Sequence, residues 1–99
     1  MPVFALYCLD KENAADLRKT TRPGHLAYLE ESDVTLHLGG PLLDESDAPI
    51  GSLLIIEAAN DAEAQAFADN DPYAKAGLFQ SVEIKRFKFV AGELVADQG

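Results

Sequence analysis

The order strand, helix, strand, strand, helix, strand predicts an α+β domain: a four-stranded antiparallel sheet with both helices on one face. Three observations carry this. Residues 2–9 and 53–56 are apolar without alternation, so both read as central strands buried on both faces. Residues 34–38 and 80–90 have mixed faces, as edge strands do. Between them lie two helical stretches bounded by caps and by Pro and Gly.

Taken in order, Pro2 to Leu9 forms the first central strand. Asp10 caps a short helix over 11–19, with Ala14, Ala15 and Leu17 inward. Thr20 to Gly24 interrupts it, since Pro23 and Gly24 stand side by side, and the helix resumes near Pro23 with His25, Leu26, Tyr28 and Leu29. Val34, Leu36 and Leu38 alternate with Thr35 and His37 in an edge strand that Gly39-Gly40-Pro41 ends. Asp44 to Pro49 is an acidic, turn-rich loop. The second central strand starts at Gly51. Asn60 caps the next helix, and Glu63 is placed to reach back to the cap's own N–H. That helix ends near Asn70, because residues before a proline avoid the helical region. Asp71-Pro72 restarts a short helical turn that Gly77 closes. The last strand spans 80–90, and 92–99 is a tail with a short strand at 93–96.

This is the split βαβ, ferredoxin-like plan, and it raises a difficulty. The helices cover one sheet face, yet the central strands are apolar on both. The simplest cover for the second face is another copy of the same sheet, so a homodimer is expected.

Ninety-nine residues make a single domain, 1–99. Seventeen acidic against 8 basic residues give a net charge of −9, which argues against nucleic acid and against an anionic membrane surface. Cys8 is the one cysteine, so no internal disulfide forms and no cysteine-rich zinc site exists. No basic-then-apolar leader precedes the first strand and no run approaches membrane length, which reads as a cytoplasmic, reducing setting.

Two residues invite a chemical reading. Histidine titrates nearest neutrality and suits general acid/base work, which makes His25 a candidate. A carboxylate can fix the tautomer of an imidazole and stabilise its protonated form, which makes Asp71 its candidate partner. From pattern alone, Asp71 reads first as a helix cap and His25 as a structural histidine on a helix shoulder. Neither a nucleophile elbow nor a His-Glu-x-x-His helix is present. Gly39-Gly40-Pro41 lacks the Lys-Ser/Thr of a phosphate loop. His37 lies on the polar face of an edge strand, with no second ligand at metal spacing.

Together the motifs carry more. Arg22-Pro23-Gly24-His25-Leu26-Ala27-Tyr28-Leu29, Gly39-Gly40-Pro41-Leu42, Gly51-Ser52, and Asp71-Pro72-Tyr73 with Ala76-Gly77-Leu78 follow in an order that resembles the YciI-like (YCII-related) proteins from Val3 to about Phe89. The resemblance implies a dimeric α+β barrel architecture. It implies a His–Asp active-site pair at His25 and Asp71, with the family's preceding Arg at Arg22. The acidic 44–47 loop and the tail depart from the family pattern and leave this pair untouched. Two functions are then expected. The first is a cofactor-free, metal-free enzyme of proton transfer, isomerisation or elimination on a small, aromatic-derived molecule. His25 would be its acid/base, Asp71 the orienter, Arg22 the anchor for negative charge, with Tyr73 and Ser52 as further substrate contacts. The alternative is a non-catalytic dimeric module that binds a small ligand or partner, with His25 and Asp71 as a polar bridge. A ligand-sized cavity beside the imidazole separates the two.

Overall fold

The computed structural model describes residues 1–93. The elements are β1 (Val3–Asp10), α1 (Ala15–Glu31), β2 (Thr35–Leu43), β3 (Pro49–Glu57), α2 (Asp61–Asp69), α3 (Pro72–Lys75) and β4 (Phe79–Phe87). The four strands form one antiparallel sheet in the order β2-β3-β1-β4. The two unalternating runs are therefore central and the two mixed ones are edges, as their patterns require. Residues 94–96 of the strand expected at 93–96 lie outside the described residues.

Pairing of Phe4 with Ile56, Leu6 with Leu54 and Cys8 with Ser52 puts these side chains on the face beneath the helices. Phe4, Leu6 and Ile56 are almost fully buried there, with Ala58, Ala64 and Phe67 against them. Burial of each large side chain contributes about 1.5–3 kcal/mol. The opposite face carries Ala5, Tyr7, Leu53 and Ile55 on the central strands, with Leu38 and Phe87 on the edges. Tyr7, Leu38 and Phe87 remain exposed on that helix-free face.

Three elements differ from the sequence reading. The first helix is not interrupted. It runs 17 residues with Pro23 inside. Proline removes one backbone hydrogen bond, but packing on both sides of it holds the helix. Gly24 does not break the helix either, and a Cβ there would meet the Pro72 side chain at 3.7 Å, an ordinary contact. Asp10 is not a cap either, since the residue before α1 is Ala14 and no side chain caps it. Nor does Leu17 point inward. It is 37% exposed, and Arg18 takes the buried position.

The second difference lies in β2, which passes through Gly39-Gly40-Pro41 and pairs Pro41 with Ser52. On an edge strand the missing proline N–H can face outward at no cost. The register shifts between Leu36 and Leu38, a bulge that sets His37 apart from the alternation. His37 sits by Glu57 at 3.5 Å and edge-on to Phe89, on no wall of the cavity described below. The acidic loop is a tight hairpin connection in which Asp44 Oδ1 accepts from the N–H groups of Ser46 and Ala48. Asp47 adopts φ 63°, a conformation aspartate tolerates.

The third difference is small. Asn60 caps α2 by accepting from Glu63 N–H at 2.8 Å, while the Glu63 carboxylate accepts from Ala59 N–H and not from the cap's own. Asp71 caps α3 with Pro72 in the first turn, and Gly77 ends it at φ 78°.

Candidate active site

Every buried polar or charged side chain among the described residues belongs to one cluster: Arg18, His25, Ser52 and Asp71. Burying such groups costs several kcal/mol unless they are paired, so a cluster of this kind is built rather than incidental. Helical geometry explains half of it. Arg18, Arg22 and His25 stand at i, i+4 and i+7 on α1, and so share a face. Ser52 comes from central strand β3, Asp71 from the cap of α3, and Tyr73 from α3 itself.

His25 Nδ1 lies 2.9 Å from Asp71 Oδ1 and 3.0 Å from Oδ2. A carboxylate only accepts, so Nδ1 carries a proton, and in the neutral ring the lone pair is then on Nε2. Asp71 Oδ1 also accepts from the backbone N–H of Tyr73 at 2.9 Å. The cap and the histidine thus share Oδ1, with Oδ2 also within reach of the ring nitrogen. The His25 ring stacks on Tyr73 with centroids 4.1 Å apart and planes 20° apart. On the same tyrosine lies the guanidinium of Arg18, its Cζ 4.6 Å from the ring centroid.

Arg18 is held from two further sides. Its Nε donates to Asp10 Oδ2 at 2.6 Å and its Nη2 to Asp10 Oδ1 at 3.0 Å, a bidentate pair. Nη2 also donates to Ser52 Oγ at 2.8 Å. Burial opposes the guanidinium charge, but the Asp10 bond and its charge outweigh that and push the Arg18 pKa above its ordinary value. Burial also raises Tyr73, with Asp71 and Asp10 adding to it and Arg18 and Arg22 opposing, so the phenol stays protonated at neutral pH. Cys8, beneath the cluster, is pushed up to about 12, first by burial and then by Asp71, with Asp10 adding a little and Arg18 opposing.

A cavity of about 460 Å³ opens between α1 and the β2–β3 hairpin. Arg18, Arg22, His25, Ser52 and Tyr73 all reach it, against apolar walls from Leu26, Leu29, Pro41, Pro49 and Leu54. Its size suits a small ligand. His25, Asp71, Tyr73 and Ser52 are therefore gathered in one place. Arg22 stands at the exposed rim of the cavity, while the interior cation is Arg18. Arg18 and Asp10 were missed because splitting the helix at 20–24 lost its phase. A continuous helix would have put Arg18 on the face of His25. Among the described residues, no group of three His, Cys, Asp or Glu side chains converges to hold a metal. No helix among them is long and apolar enough to cross a membrane.

The fold and cluster define a ferredoxin-like α+β protein with a buried histidine–carboxylate pair at a ligand-sized cavity. The chain belongs to the YCII-related domain family, which matches residues 3–88. It is 35% identical over 96 residues to Protein YciI of Escherichia coli O6:H1, covering 89% of this chain and 98% of that one. It is 42% identical over 77 residues to the derivative of benzaldehyde biosynthesis cluster protein C of Emericella nidulans, covering 66% of this chain and 78% of that one. Among solved structures it is similar to 5-chloro-2-hydroxyhydroquinone dehydrochlorinase (TftG) of Burkholderia phenoliruptrix in complex with 2,5-dihydroxybenzoquinone. There the TM-score is 0.80 at 35% identity, over 87% of this chain and 93% of that one. A Pseudomonas aeruginosa protein, PA3566, shares the fold with a TM-score of 0.56 at 14% identity, over 91% and 95% of the two chains.

Proposed function

We propose that the chain is a cofactor-free enzyme that moves a proton on a small ring-derived molecule, by isomerisation or by elimination of a leaving group. The observation that carries this is the state of His25: Nδ1 is fixed by Asp71 while the ring lines the cavity, so Nε2 is left as the base. In an elimination, Nε2 takes a proton from the substrate, the freed electron pair forms the new double bond, and the leaving group departs with its bonding pair. Asp71 stabilises the imidazolium that results. Similarity to a dehydrochlorinase of a chlorinated hydroxyhydroquinone supports the substrate class. Ser52 and Tyr73 shape the floor, and Arg22 stands at the entrance.

The working unit in this proposal is a homodimer joined through the helix-free sheet face, where Tyr7, Leu38 and Phe87 are exposed. The test is a panel of halogenated and hydroxylated aromatics, followed by absorbance and halide release. Turnover by wild type that His25→Ala loses, with ligand binding retained, supports the proposal. Binding without turnover across the panel would return the chain to a ligand-binding module.

A further inference from the structure

We propose that Arg18, not Arg22, is the interior anchor for an ionised oxygen on the ligand, so that the cavity selects planar rings bearing a phenolate, enolate or carboxylate. This rests on the ligand-binding part of the function proposed above and deepens it.

The guanidinium has five N–H donors in a fixed fork. Asp10 and Ser52 occupy Nε and Nη2. Nη1 has no hydrogen-bond partner among the described residues, yet no side-chain nitrogen or oxygen among them is both buried and unpartnered. Nη1 is therefore open to the cavity that Arg18 lines, with donors unused. A 6% exposed arginine held on two edges and stacked on a third group has almost no freedom left. Its free edge is pre-organised, so little conformational entropy is lost when a ligand oxygen takes it.

Charge distribution agrees. The chain carries net charge −9, yet no carboxylate lines the cavity. Lys19 and Arg22 join Arg18 on its wall, and neither has a carboxylate partner among the described residues. An acidic protein has thus gathered three of its 8 basic residues at one apolar slot. The exposed pair attracts an anion to the mouth, where solvent screens it. The interior donor is screened far less and sets the bound position. On α1, Arg18 and His25 lie seven residues apart, about 10 Å along the axis. A ring with its oxyanion at Arg18 therefore extends toward the imidazole. Asp10 is a positioning residue in this arrangement, since it acts through the guanidinium.

The experiment is a binding titration with two probes of one ring: 2,4-dinitrophenol, an anion at neutral pH, and its uncharged methyl ether, 2,4-dinitroanisole. Wild type is expected to bind the anion tighter by about tenfold or more, the scale of a charge-assisted hydrogen bond. Arg18→Met alone would leave Asp10 uncompensated, so the paired Asp10→Asn/Arg18→Met variant is used to remove both charges at once. It should bring the two affinities to within about twofold while the ether binds as before, and Arg22→Ala should keep most of the preference. An unchanged preference in the double variant, a preference lost with Arg22 alone, or none in wild type overturns the inference. Neither probe requires turnover. A chain that shows this preference but turns over nothing refutes only the catalytic proposal, and one that turns over substrate without it refutes only the role of Arg18.

Discussion

Asp71 holds His25 with the oxygen that also caps a helix: Oδ1 is 2.9 Å from the imidazole Nδ1 and 2.9 Å from the Tyr73 N–H. The cap fixes the carboxylate, the carboxylate fixes the ring, and the ring stacks on the side chain of the residue whose amide is capped. Orientation of the imidazole is therefore a property of local helix chemistry.

Asp71→Asn separates the two duties. Asparagine caps as well as aspartate, so the melting temperature should move by only a few degrees. The imidazole loses its fixed tautomer and its counter-charge, and turnover should fall by about 10²–10⁴-fold. Imidazole ¹⁵N shifts should show the Nδ1–H form of wild type giving way to a mixture. Asp71→Ala should add about 1 kcal/mol of destabilisation from the lost cap. Equal activity in wild type and Asp71→Asn would reduce Asp71 to a cap.

Gly51 lies on β3 opposite Leu9 of β1. A Cβ at this position would lie 2.3 Å from the Cys8 carbonyl oxygen, a contact with backbone that no rotamer relieves. Gly51→Ala should therefore destabilise the fold by about 1–3 kcal/mol, read as a lower urea midpoint. Because Ser52 follows directly and accepts from Arg18, ligand affinity should fall with it. An alanine variant as stable as wild type would show that the strands can part there at no cost.

Cys8 makes a prediction about alkaline pH. Its pKa is raised from 9.0 to about 12, mainly by burial. A raised acid contributes stability that is complete below its unfolded pKa and is lost as pH rises toward the folded one. The window is thus from about pH 9 to about pH 12. The melting temperature should fall across the lower part of it, and Cys8→Ala should flatten that fall. The raised pKa values of Tyr28 and Tyr73 act in the same sense, so some slope remains. At pH 8 the native thiol should resist a thiol-specific reagent that labels the urea-unfolded chain at once. Rapid labelling of native protein would show that the thiol is not buried.

Much of this was legible in the sequence, for reasons that differ by element. The central strands could be read because residues 2–9 and 53–56 have no polar alternation, a pattern that two-sided burial explains. The caps at Asn60 and Asp71 are local, so local chemistry found them. Pro23-Gly24 misled because proline and glycine usually mark a break, whereas here the helix continues through both. Gly39-Gly40-Pro41 misled in the same way on an edge strand. The Arg18–Asp10 pair was hidden twice over: by the lost helical phase, and because Asp10 before a helix looks like a cap.

The helix-free sheet face yields the last prediction. Tyr7 is 43% exposed, Leu38 39% and Phe87 43%, on three different strands of that face. They flank the half-buried Ala5 and Leu53 and the buried Ile55, so apolar side chains from all four strands share this face. Such a surface on an isolated chain is an interaction site or an aggregation hazard. Face-to-face pairing of two sheets would bury on the order of 2,000 Å² or more, as obligate dimers do. Scattering at micromolar concentration should give twice the chain mass of 10.7 kDa. Leu38→Glu places a charge within the buried patch of both copies and should shift the mass toward monomer, with visible loss of solubility. Leu17→Glu, on an exposed helix position remote from that face, is the control and should leave the dimer intact. A wild-type chain that is monodisperse and monomeric at these concentrations would show that the face has another cover.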